Sequence, residues 1–415
     1  MFLLRLPLLI LPLTFAFLSN AAADGVKPKQ AEVGPRPYYL IDKMADGPLK
    51  TELQQCKNGP FHTTDFSIGH RGASLQFPEH SKEGYLAAAR MGAGIIECDV
   101  TFTKDRQLVC RHSQCDLQAT TDILAHPDLA AKCSEPFSPA DPSLGTKARA
   151  KCCTSDITLA EFKSLRAKMD GSNPKATTVE EFMKGTPDWR TELYGTDGTL
   201  MTHADSIRLI DSLGLKFIPE MKAPQVSMPF DGDYSRADFA KAIIADYRNA
   251  KIDPSRVYLQ SFDLEDIRYW LKNDPDYGPR AVYLDSRYRG SNRINPADPD
   301  SFNPSMQELA SEGLKFIAPP MWMLLDLDAN GKIVPSAYAK AAKAAGLTIF
   351  TWTLERSGSL KKGGGWYYKS VKDAISREGD VMTVLDVLAK DVGVKGVFSD
   401  WAATTTYYAN CRGID

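Results

Sequence analysis

The sequence has no excess of charge of one sign. Its 415 residues include 50 Lys and Arg and 52 Asp and Glu, which gives a formal net charge of −2 at pH 7. This balance provides no electrostatic basis for binding nucleic acid or an anionic membrane surface. An attraction for a charged small-molecule substrate must therefore come from a local group of residues. The length suggests one large domain, such as a barrel with an insertion, or two ordinary domains.

Long apolar runs are also missing after the N-terminus. Residues 1–23 combine an early Arg5, an apolar stretch and an A-x-A pattern at the end, which predicts a secretory signal peptide. The apolar stretch is interrupted by two prolines and is short for a membrane-spanning helix, so a membrane anchor is the less favoured alternative. We therefore expect a mature chain that is secreted or periplasmic and has no stable membrane insertion.

No C-x-x-C pair occurs among the eight cysteines, which argues against a redox motif or a zinc site. In an oxidising compartment most of the cysteines should form disulfides, although the sequence does not give their connectivity. Cys56 and Cys411 flank the main domain and could tie its ends together. Cys98 alternates with two acidic residues along a predicted strand, so we predict that it points away from them as a free, buried thiol.

Apolar runs of strand length alternate with helical patterns along most of the chain. Such an alternation is typical of a parallel sheet with helices outside it, and eight strands close a TIM (β/α)8 barrel. The eight strands are predicted at 65–70, 94–100, 215–221, 256–262, 280–284, 314–319, 347–353 and 394–400.

A ninth apolar run, LVCRH at 108–112, does not fit the parallel count. Only four residues separate it from the second strand, and so short a connection predicts an antiparallel hairpin that forms a flap. If the turn centres on residues 105–106, paired positions sum to 211 and His112 lies opposite Asp99. Glu97 shares that face of the strand. The hairpin is therefore predicted to bring an imidazole beside two carboxylates.

The stretch from about 116 to 203 lacks this alternation and is rich in turn residues. A structureless loop of that length would be unusual, so we interpret it as an insertion that forms a cap over one end of the barrel. The predicted organisation is a signal peptide (1–23), an N-terminal extension (24–60) and a barrel domain (61–415) that contains this insertion.

Further charged residues lie at the ends of other predicted strands. The segment IPEMK places Glu220 and Lys222 on one face of the third strand, and the first strand ends at His70, followed by Arg71. TIM-barrel active sites lie at the C-terminal ends of the strands, so we expect these side chains to converge with Glu97 there. A single acid at a strand end could equally pair with a neighbouring base and only hold a loop in place. That explanation does not account for the whole group of residues.

Three converging carboxylates, those of Glu97, Asp99 and Glu220, repel one another unless a cation neutralises them. Oxygen ligands suit a hard divalent ion such as Ca²⁺ or Mg²⁺ better than zinc. With Arg71 and Lys222 the site carries about one net negative charge, and a divalent ion reverses it to one positive charge. That charge matches a phosphodiester, whose hydrolysis two histidines could assist as acid and base.

The segments GHRGASLQFPEHS, ECDVTFTKD, LVCRHS, PEMKAP and YLQSFD resemble the glycerophosphodiester phosphodiesterase family, in particular its secreted or periplasmic branch. The resemblance extends from about Phe66 to Trp401 and implies a TIM barrel with an insertion after the flap. It also implies one divalent cation, with Ca²⁺ expected in preference to Mg²⁺. The implied site residues are Glu97, Asp99 and Glu220 as metal ligands, His70 and His112 as acid and base, and Arg71, Lys222 and Trp352 for the substrate.

One departure from the family pattern is visible. The family usually has Asp where this chain has Ser113, directly after His112, and the missing carboxylate could change the orientation or the pKa of the imidazole. This difference affects the expected rate and pH optimum more than the reaction type.

The expected reaction is metal-dependent hydrolysis of glycerophosphodiesters, such as glycerophosphocholine, to glycerol 3-phosphate and an alcohol. One alternative is a phospholipase D-like enzyme that acts on lysophospholipids or sphingomyelin; the long insertion and the PEH segment favour the first reading. Another alternative is a non-catalytic barrel that binds phosphodiesters. The presence of both histidines and all three acids argues against it.

Two further segments carry weaker signals. DLDANG at 326–331 matches half of an EF-hand loop, but an alanine stands at the twelfth position, where a bidentate Glu is needed, so a surface turn is favoured. SLKKGGGWYY at 359–368 follows the seventh strand and is either a flexible loop or a lid that carries Lys361, Lys362 and Trp366 toward the substrate.

Overall fold

The computed structural model describes residues 30–196, 198–291 and 293–414, and the statements below concern these residues. The predicted signal peptide at 1–23 and the first six residues of the predicted extension, 24–29, lie outside them. Within the described ranges, every helix is too short or too polar to cross a membrane.

Eight parallel strands in the described part of the chain close into a TIM barrel, as predicted. The first strand pairs with the eighth and with the second, and every other strand pairs with the next one in the chain. The second and third strands each consist of two segments. The strands are Thr64–Gly69, Ala93–Ile96 with Asp99–Phe102, Lys216–Phe217 with Glu220–Met221, Gln260–Ser261, Val282–Leu284, Phe316–Ala318, Thr348–Thr351 and Gly396–Ser399.

A helix follows each barrel strand and packs outside it. Several of these helices begin where the sequence offers a capping side chain; Ser81, Thr202, Ser235 and Asp263 each accept a backbone N–H of the first turn. The eight outer helices are Lys82–Arg90, His203–Ser212, Arg236–Asn249, Leu264–Asn273, Met306–Ser311, Ala337–Ala344, Asp380–Asp386 and Ala403–Arg412.

The apolar side chains of the strands form two layers. Ile68, Val282 and Phe398 belong to the cluster inside the barrel, whereas Ile317 and Val397 belong to the larger cluster between strands and helices. Neighbouring residues such as Val397 and Phe398 enter different layers because successive side chains of a strand point to opposite faces. Both faces of the sheet are therefore buried, as in other parallel barrels.

The flap is present as an antiparallel strand, Leu108–Cys110, but its register differs by one residue from the prediction. Val100 lies opposite Cys110, so the numbers of paired residues sum to 210, one less than the predicted 211. The turn is the reason. Thr103 and Gln107 close a three-residue loop, with the Thr103 N–H donating to the Gln107 carbonyl at 3.0 Å. The predicted register corresponds to a two-residue turn.

This loop has the conformation that three-residue hairpins favour, in which the last residue is left-handed. Arg106 takes that position, with φ of +59°. The Thr103 hydroxyl supports the loop, because it donates to Asp105 Oδ1 at 2.6 Å and accepts from the Gln107 N–H at 3.0 Å.

All eight cysteines are within the described residues and form four disulfides, so the prediction of a free Cys98 thiol is wrong. Cys98 is bonded to Cys110 on the flap. In the observed register Cys110 shares a face with Val100, and therefore with Cys98, whereas the predicted register placed it on the opposite face. Cys98 does point away from the acids, into the outer apolar layer. The predicted link between the chain ends is confirmed by Cys56–Cys411.

The predicted insertion forms a cap with its own apolar core. Leu117, Ile157, Phe162 and Leu200 belong to a cluster separate from the barrel layers, and Val109 of the flap joins it. Two disulfides, Cys115–Cys153 and Cys133–Cys152, cross-link the cap. Its regular elements are the strand pairs Glu135–Ser138 with Arg149–Lys151 and Arg166–Ala167 with Gly198–Thr199, and the helices Leu117–Thr120, Pro127–Ala130, Leu159–Ser164 and Val179–Met183.

The remaining segments are peripheral. Two N-terminal helices, Arg36–Asp42 and Pro48–Gln55, pack on the last helix of the barrel. The DLDANG segment is the turn of a hairpin between Leu325–Leu327 and Ile333–Pro335. Asp328 accepts the turn's backbone N–H groups there, as expected of a surface turn.

Candidate active site

A cleft of about 710 Å³ lies at the C-terminal ends of the barrel strands. The strand ends, the flap and the cap all contribute to its walls, and Asp170 comes from the cap. The predicted site residues that line it are His70, Arg71, Glu97, His112, Glu220, Lys222 and Trp352. The position is the one at which TIM barrels place their active sites.

Glu97, Asp99 and Glu220 form a buried cluster at this end of the barrel. Each offers a carboxylate oxygen that lies within 4.8 Å of the other two. The sheet register explains the clustering, because Glu220 lies directly beside Asp99 on the adjacent strand. Gln260 donates to Glu97 Oε1 at 2.8 Å, and the Arg71 N–H donates to Glu97 Oε2 at 3.0 Å.

The pKa values of the three carboxyls are set by burial, by their mutual repulsion and by the cations beside them. Burial and the neighbouring Asp99 raise the pKa of Glu97 well above its usual value. Burial raises the pKa of Glu220 to about 8, although Lys222 opposes the shift. For Asp99, Lys222 and His80 outweigh burial and hold the pKa well below its usual value. Burial and the neighbouring charges therefore oppose ionisation of Glu97 and Glu220, whereas Asp99 remains a carboxylate.

His70 is held at one ring nitrogen and open at the other. Its Nδ1 lies 2.5 Å from Asp400 Oδ1, and its Nε2 lies 3.8 Å from Glu97 Oε2. Burial would raise the pKa of Asp400, but Arg356 and His70 outweigh it, so the carboxylate is ionised and accepts the Nδ1–H. Burial lowers the pKa of His70 to about 4, which leaves a neutral imidazole near pH 7 with Nε2 toward the cleft.

His112 reaches the cleft although its predicted register is wrong. In the observed register Arg111 continues the flap ladder, and its N–H donates to the Asp99 carbonyl at 2.8 Å. The flap strand ends at Cys110, so the strict alternation of faces no longer applies to His112, which lines the cleft. Burial, followed by Arg71 and Lys222, lowers the pKa of its imidazole well below the usual value.

Ser113, which replaces the usual Asp, lies at the edge of the cleft. Its N–H donates to Asp116 Oδ2 at 2.9 Å, and its hydroxyl donates to Gln225 Oε1 at 3.1 Å. The negative charges of Asp99 and Glu79 oppose the fall in the His112 pKa that burial, Arg71 and Lys222 cause.

The two predicted cationic residues contact the acids directly. Lys222 Nζ lies 2.5 Å from Glu220 Oε1. Arg71 takes a left-handed backbone conformation with φ of +57°. Its Nη1 donates to Glu79 Oε2 at 3.0 Å, and its Nε lies 3.5 Å from Asp99 Oδ2.

The indole of Trp352 forms part of the cleft wall and donates to the Ala318 carbonyl at 3.0 Å.

Sequence reasoning assigned no role to four residues that support this site. Glu79 accepts from Arg71 and from Arg356, whose Nη2 lies 2.5 Å away. His80 Nε2 lies 2.9 Å from Asp99 Oδ2, and Asp400 orients His70. Glu79 and His80 belong to the PEH motif, and Asp400 belongs to the SD pair at the end of the eighth strand. These motifs were the sequence signals for the three residues. Arg356 offered none, because its approach depends on the loop after the seventh strand.

That loop contains the SLKKGGGWYY segment, and only part of it reaches the cleft. Trp366 and Tyr367 line the cleft wall, and Trp366 stacks on Trp352 with ring centroids 5.9 Å apart. Lys361 and Lys362 are exposed and are not among the residues that line the cleft. The segment therefore brings aromatic rings, and not its two lysines, to the site.

Comparisons with known proteins agree with the geometry. The sequence model of the glycerophosphoryl diester phosphodiesterase family matches residues 70–404. A chain from Arthroderma benhamiae, described as an extracellular protein, is 49% identical over 247 residues, which are 59% of this chain and 99% of that one. A glycerophosphodiester phosphodiesterase from Arabidopsis thaliana is 31% identical over 100 residues, which are 24% of this chain and 25% of its own length.

Solved structures support the fold. A crystal structure from Silicibacter pomeroyi, described as a glycerophosphoryl diester phosphodiesterase, superimposes with a TM-score of 0.55 at 19% identity. The superposition covers 86% of this chain and 96% of that one. The match of the family model over most of the chain establishes the class of enzyme: this chain belongs to the glycerophosphoryl diester phosphodiesterase family.

Proposed function

We propose that this enzyme catalyses metal-dependent hydrolysis of glycerophosphodiesters, such as glycerophosphocholine, to glycerol 3-phosphate and an alcohol. The observation that supports the proposal is the convergence of three carboxylates, one buried and one partly buried histidine, an arginine and a lysine at one end of the barrel. These groups together can bind a phosphodiester, stabilise the charge that develops on it and transfer the protons that hydrolysis requires.

The three carboxylates fit one divalent cation. Their ligand atoms lie within 4.8 Å of one another, and Asp99 Oδ1 is buried without a hydrogen-bond partner among the described residues. The raised pKa values of Glu97 and Glu220 reflect burial and repulsion that a cation would offset. We propose Ca²⁺ rather than Mg²⁺, because Ca²⁺ accepts irregular oxygen geometry. Bound there, the ion would polarise a phosphoryl oxygen of the substrate.

The two histidines divide the proton transfers, one as base toward the nucleophile and one as acid toward the leaving oxygen. His70 is suited to accept a proton because its imidazole is neutral near pH 7 and Asp400 leaves Nε2 free for the substrate. Asp400 would also stabilise the imidazolium that forms when His70 is protonated. His112 approaches from the flap and lines the same cleft.

Arg71 and Lys222 are placed to hold the phosphate. Lys222 pairs with Glu220 in this structure, and engagement of that carboxylate by a cation would leave the ammonium available to a phosphate oxygen. Arg71 is fixed by Glu79 through one guanidinium nitrogen and keeps further donors. Trp352 forms the adjoining wall of the cleft and limits how the substrate can lie.

The proposal is tested by measuring glycerol 3-phosphate release from a panel of glycerophosphodiesters after chelation, and again after Ca²⁺ or Mg²⁺ is added back. We expect activity to disappear on chelation and to return more fully with Ca²⁺. Sphingomyelin and lysophosphatidylcholine belong in the panel, since faster turnover of either would favour the phospholipase D-like alternative. Undiminished turnover after chelation would contradict the metal dependence.

The metal-free protein should become less stable as the pH rises from 7 to 8.5. Burial raises the pKa of Glu220 to about 8, so the folded state holds a proton in this range that the unfolded chain, with a pKa near 4.5, has released. The unfolding free energy therefore falls as the pH passes through the folded pKa. Thermal melts in a chelating buffer should show this decline, Ca²⁺ should remove it, and Glu220→Gln should reduce it. Equal slopes for wild type and variant would contradict the assignment.

We also propose that the mature enzyme works outside the cytoplasm. Four disulfides suit an oxidising compartment, and the Arthroderma benhamiae relative carries an extracellular description. The proposed organisation keeps the signal peptide at 1–23, the extension at 24–60 and the barrel domain at 61–415, with the cap at about 116–203. N-terminal sequencing of the exported protein would locate the cleavage site.

A further inference from the structure

We propose that the aromatic part of the cleft is a subsite for a quaternary ammonium group on the leaving alcohol, as in a choline ester. The inference rests on the proposed function and adds the class of head group that the site selects. Five rings form this part of the cleft, here called the aromatic wall: Phe262, Tyr288, Trp352, Trp366 and Tyr367.

The aromatic wall is continuous and begins beside the acidic cluster. Phe262 lies 5.8 Å from the Lys222 ammonium, which itself pairs with Glu220. The ring centroids then follow at contact distances, 5.7 Å from Phe262 to Trp352 and 5.9 Å from Trp352 to Trp366. A phosphodiester at the carboxylates would therefore have π surface directly beside it.

Two polar atoms of the wall already have hydrogen-bond partners. The Trp352 N–H donates to the Ala318 carbonyl at 3.0 Å, and the Tyr288 hydroxyl accepts from Arg289 Nε at 3.0 Å. A polyol or a primary ammonium head group would need hydrogen-bond partners here. A quaternary ammonium carries no N–H and needs only the negative face of an aromatic ring.

Two cationic side chains of the protein already lie on rings of this region. Lys369 Nζ lies 3.4 Å from the centroid of Trp322, which packs against Tyr288 and Trp366. Arg289 lies 4.9 Å from the Phe262 centroid and 5.2 Å from that of Tyr288. Both side chains belong to exposed residues and can move aside. The rings thus present faces that attract cations, because the quadrupole of an aromatic ring makes its face negative. The same negative face disfavours an anionic head group.

The test compares glycerophosphocholine with its 3,3-dimethylbutyl isostere, in which carbon replaces the quaternary nitrogen and only the charge is lost. We expect wild type to prefer the choline ester by roughly 3- to 30-fold in kcat/KM, the range that a cation–π contact provides. Trp366→Leu keeps apolar bulk but removes one ring face, and it should bring this ratio down toward one. Tyr39→Leu is the control, because Tyr39 is 49% exposed under the Lys43 ammonium and does not line the cleft.

Equilibrium binding of the two compounds, followed by tryptophan fluorescence in the Ca²⁺-loaded His70→Ala variant so that turnover is slow, separates this proposal from the proposed function. A binding preference for the choline ester without turnover of any glycerophosphodiester would support the subsite and contradict the hydrolase assignment. Turnover of both compounds with equal binding would overturn the subsite alone. If Trp366→Leu lowered kcat/KM equally for substrates with every head group, the subsite would also be overturned, because the wall would then bind the glycerol moiety.

The two resident cations provide an independent check. Lys369→Met and Arg289→Met remove competitors for the ring faces, so the ratio of choline ester to isostere should rise. If wild type instead prefers glycerophosphoserine, and these variants abolish that preference, the cations recognise the carboxylate of the head group and the proposal is wrong.

Discussion

Glu220→Ala is expected to abolish metal-dependent activity while the protein remains folded, and Glu97→Ala and Asp99→Ala should do the same. The three carboxylates supply the oxygen ligands of the proposed site, and each lies within 4.8 Å of the others. Loss of the several kcal/mol of charge stabilisation that a bound ion provides corresponds to roughly 10³-fold in rate. The measurements are glycerol 3-phosphate release and Ca²⁺ affinity by calorimetry.

The same substitution should not destabilise the metal-free protein. Burial and the neighbouring Asp99 oppose ionisation of Glu220, so its removal takes away little negative charge at neutral pH, and Lys222 keeps Asp99 beside it. Asp263→Asn is a matched control, because it removes a negative charge from the cleft wall and keeps a side chain that can cap the following helix. A Glu220→Ala protein with full activity and unchanged Ca²⁺ affinity would refute the three-carboxylate site.

Replacing His70 or His112 by alanine is expected to reduce turnover by roughly 10²- to 10⁴-fold, the usual contribution of a general acid or base. Both imidazoles line the cleft, His70 buried and His112 partly buried, and neither is assigned as a metal ligand. Ca²⁺ affinity should therefore change little. The wild-type rate should have a bell-shaped pH profile, of which one limb is lost in each variant.

His112→Ala is the more informative of the two variants. The predicted hairpin register was wrong, and His112 is in the cleft only because the flap strand ends at Cys110. Near-normal turnover of the folded variant would show that the imidazole has no catalytic role, and a loss of Ca²⁺ affinity would make it a metal ligand. His126→Ala removes a half-exposed imidazole from the cap and serves as the control.

Much of the candidate site could be predicted from the chain because it is carried by local patterns. In E-x-D on the second strand and E-x-K on the third, the alternation of a strand places both side chains on one face. The parallel barrel then brings the strand ends together, and Glu220 does lie beside Asp99. The antiparallel flap was predictable for a similar reason, since four connecting residues cannot make a parallel crossover.

What the sequence alone determined is the number and order of the barrel strands, the presence of the cap and the convergence of acids and histidines. Only the tertiary structure decided the hairpin register, because the segment is compatible with a two-residue or a three-residue turn. The protein has the three-residue turn, with Arg106 left-handed. That register placed Cys98 beside Cys110. The tertiary structure also decided that Arg356, 286 positions from His70 in the chain, fixes the carboxylate of Asp400. Contacts of this kind depend on how loops from distant strands meet, which no local periodicity encodes.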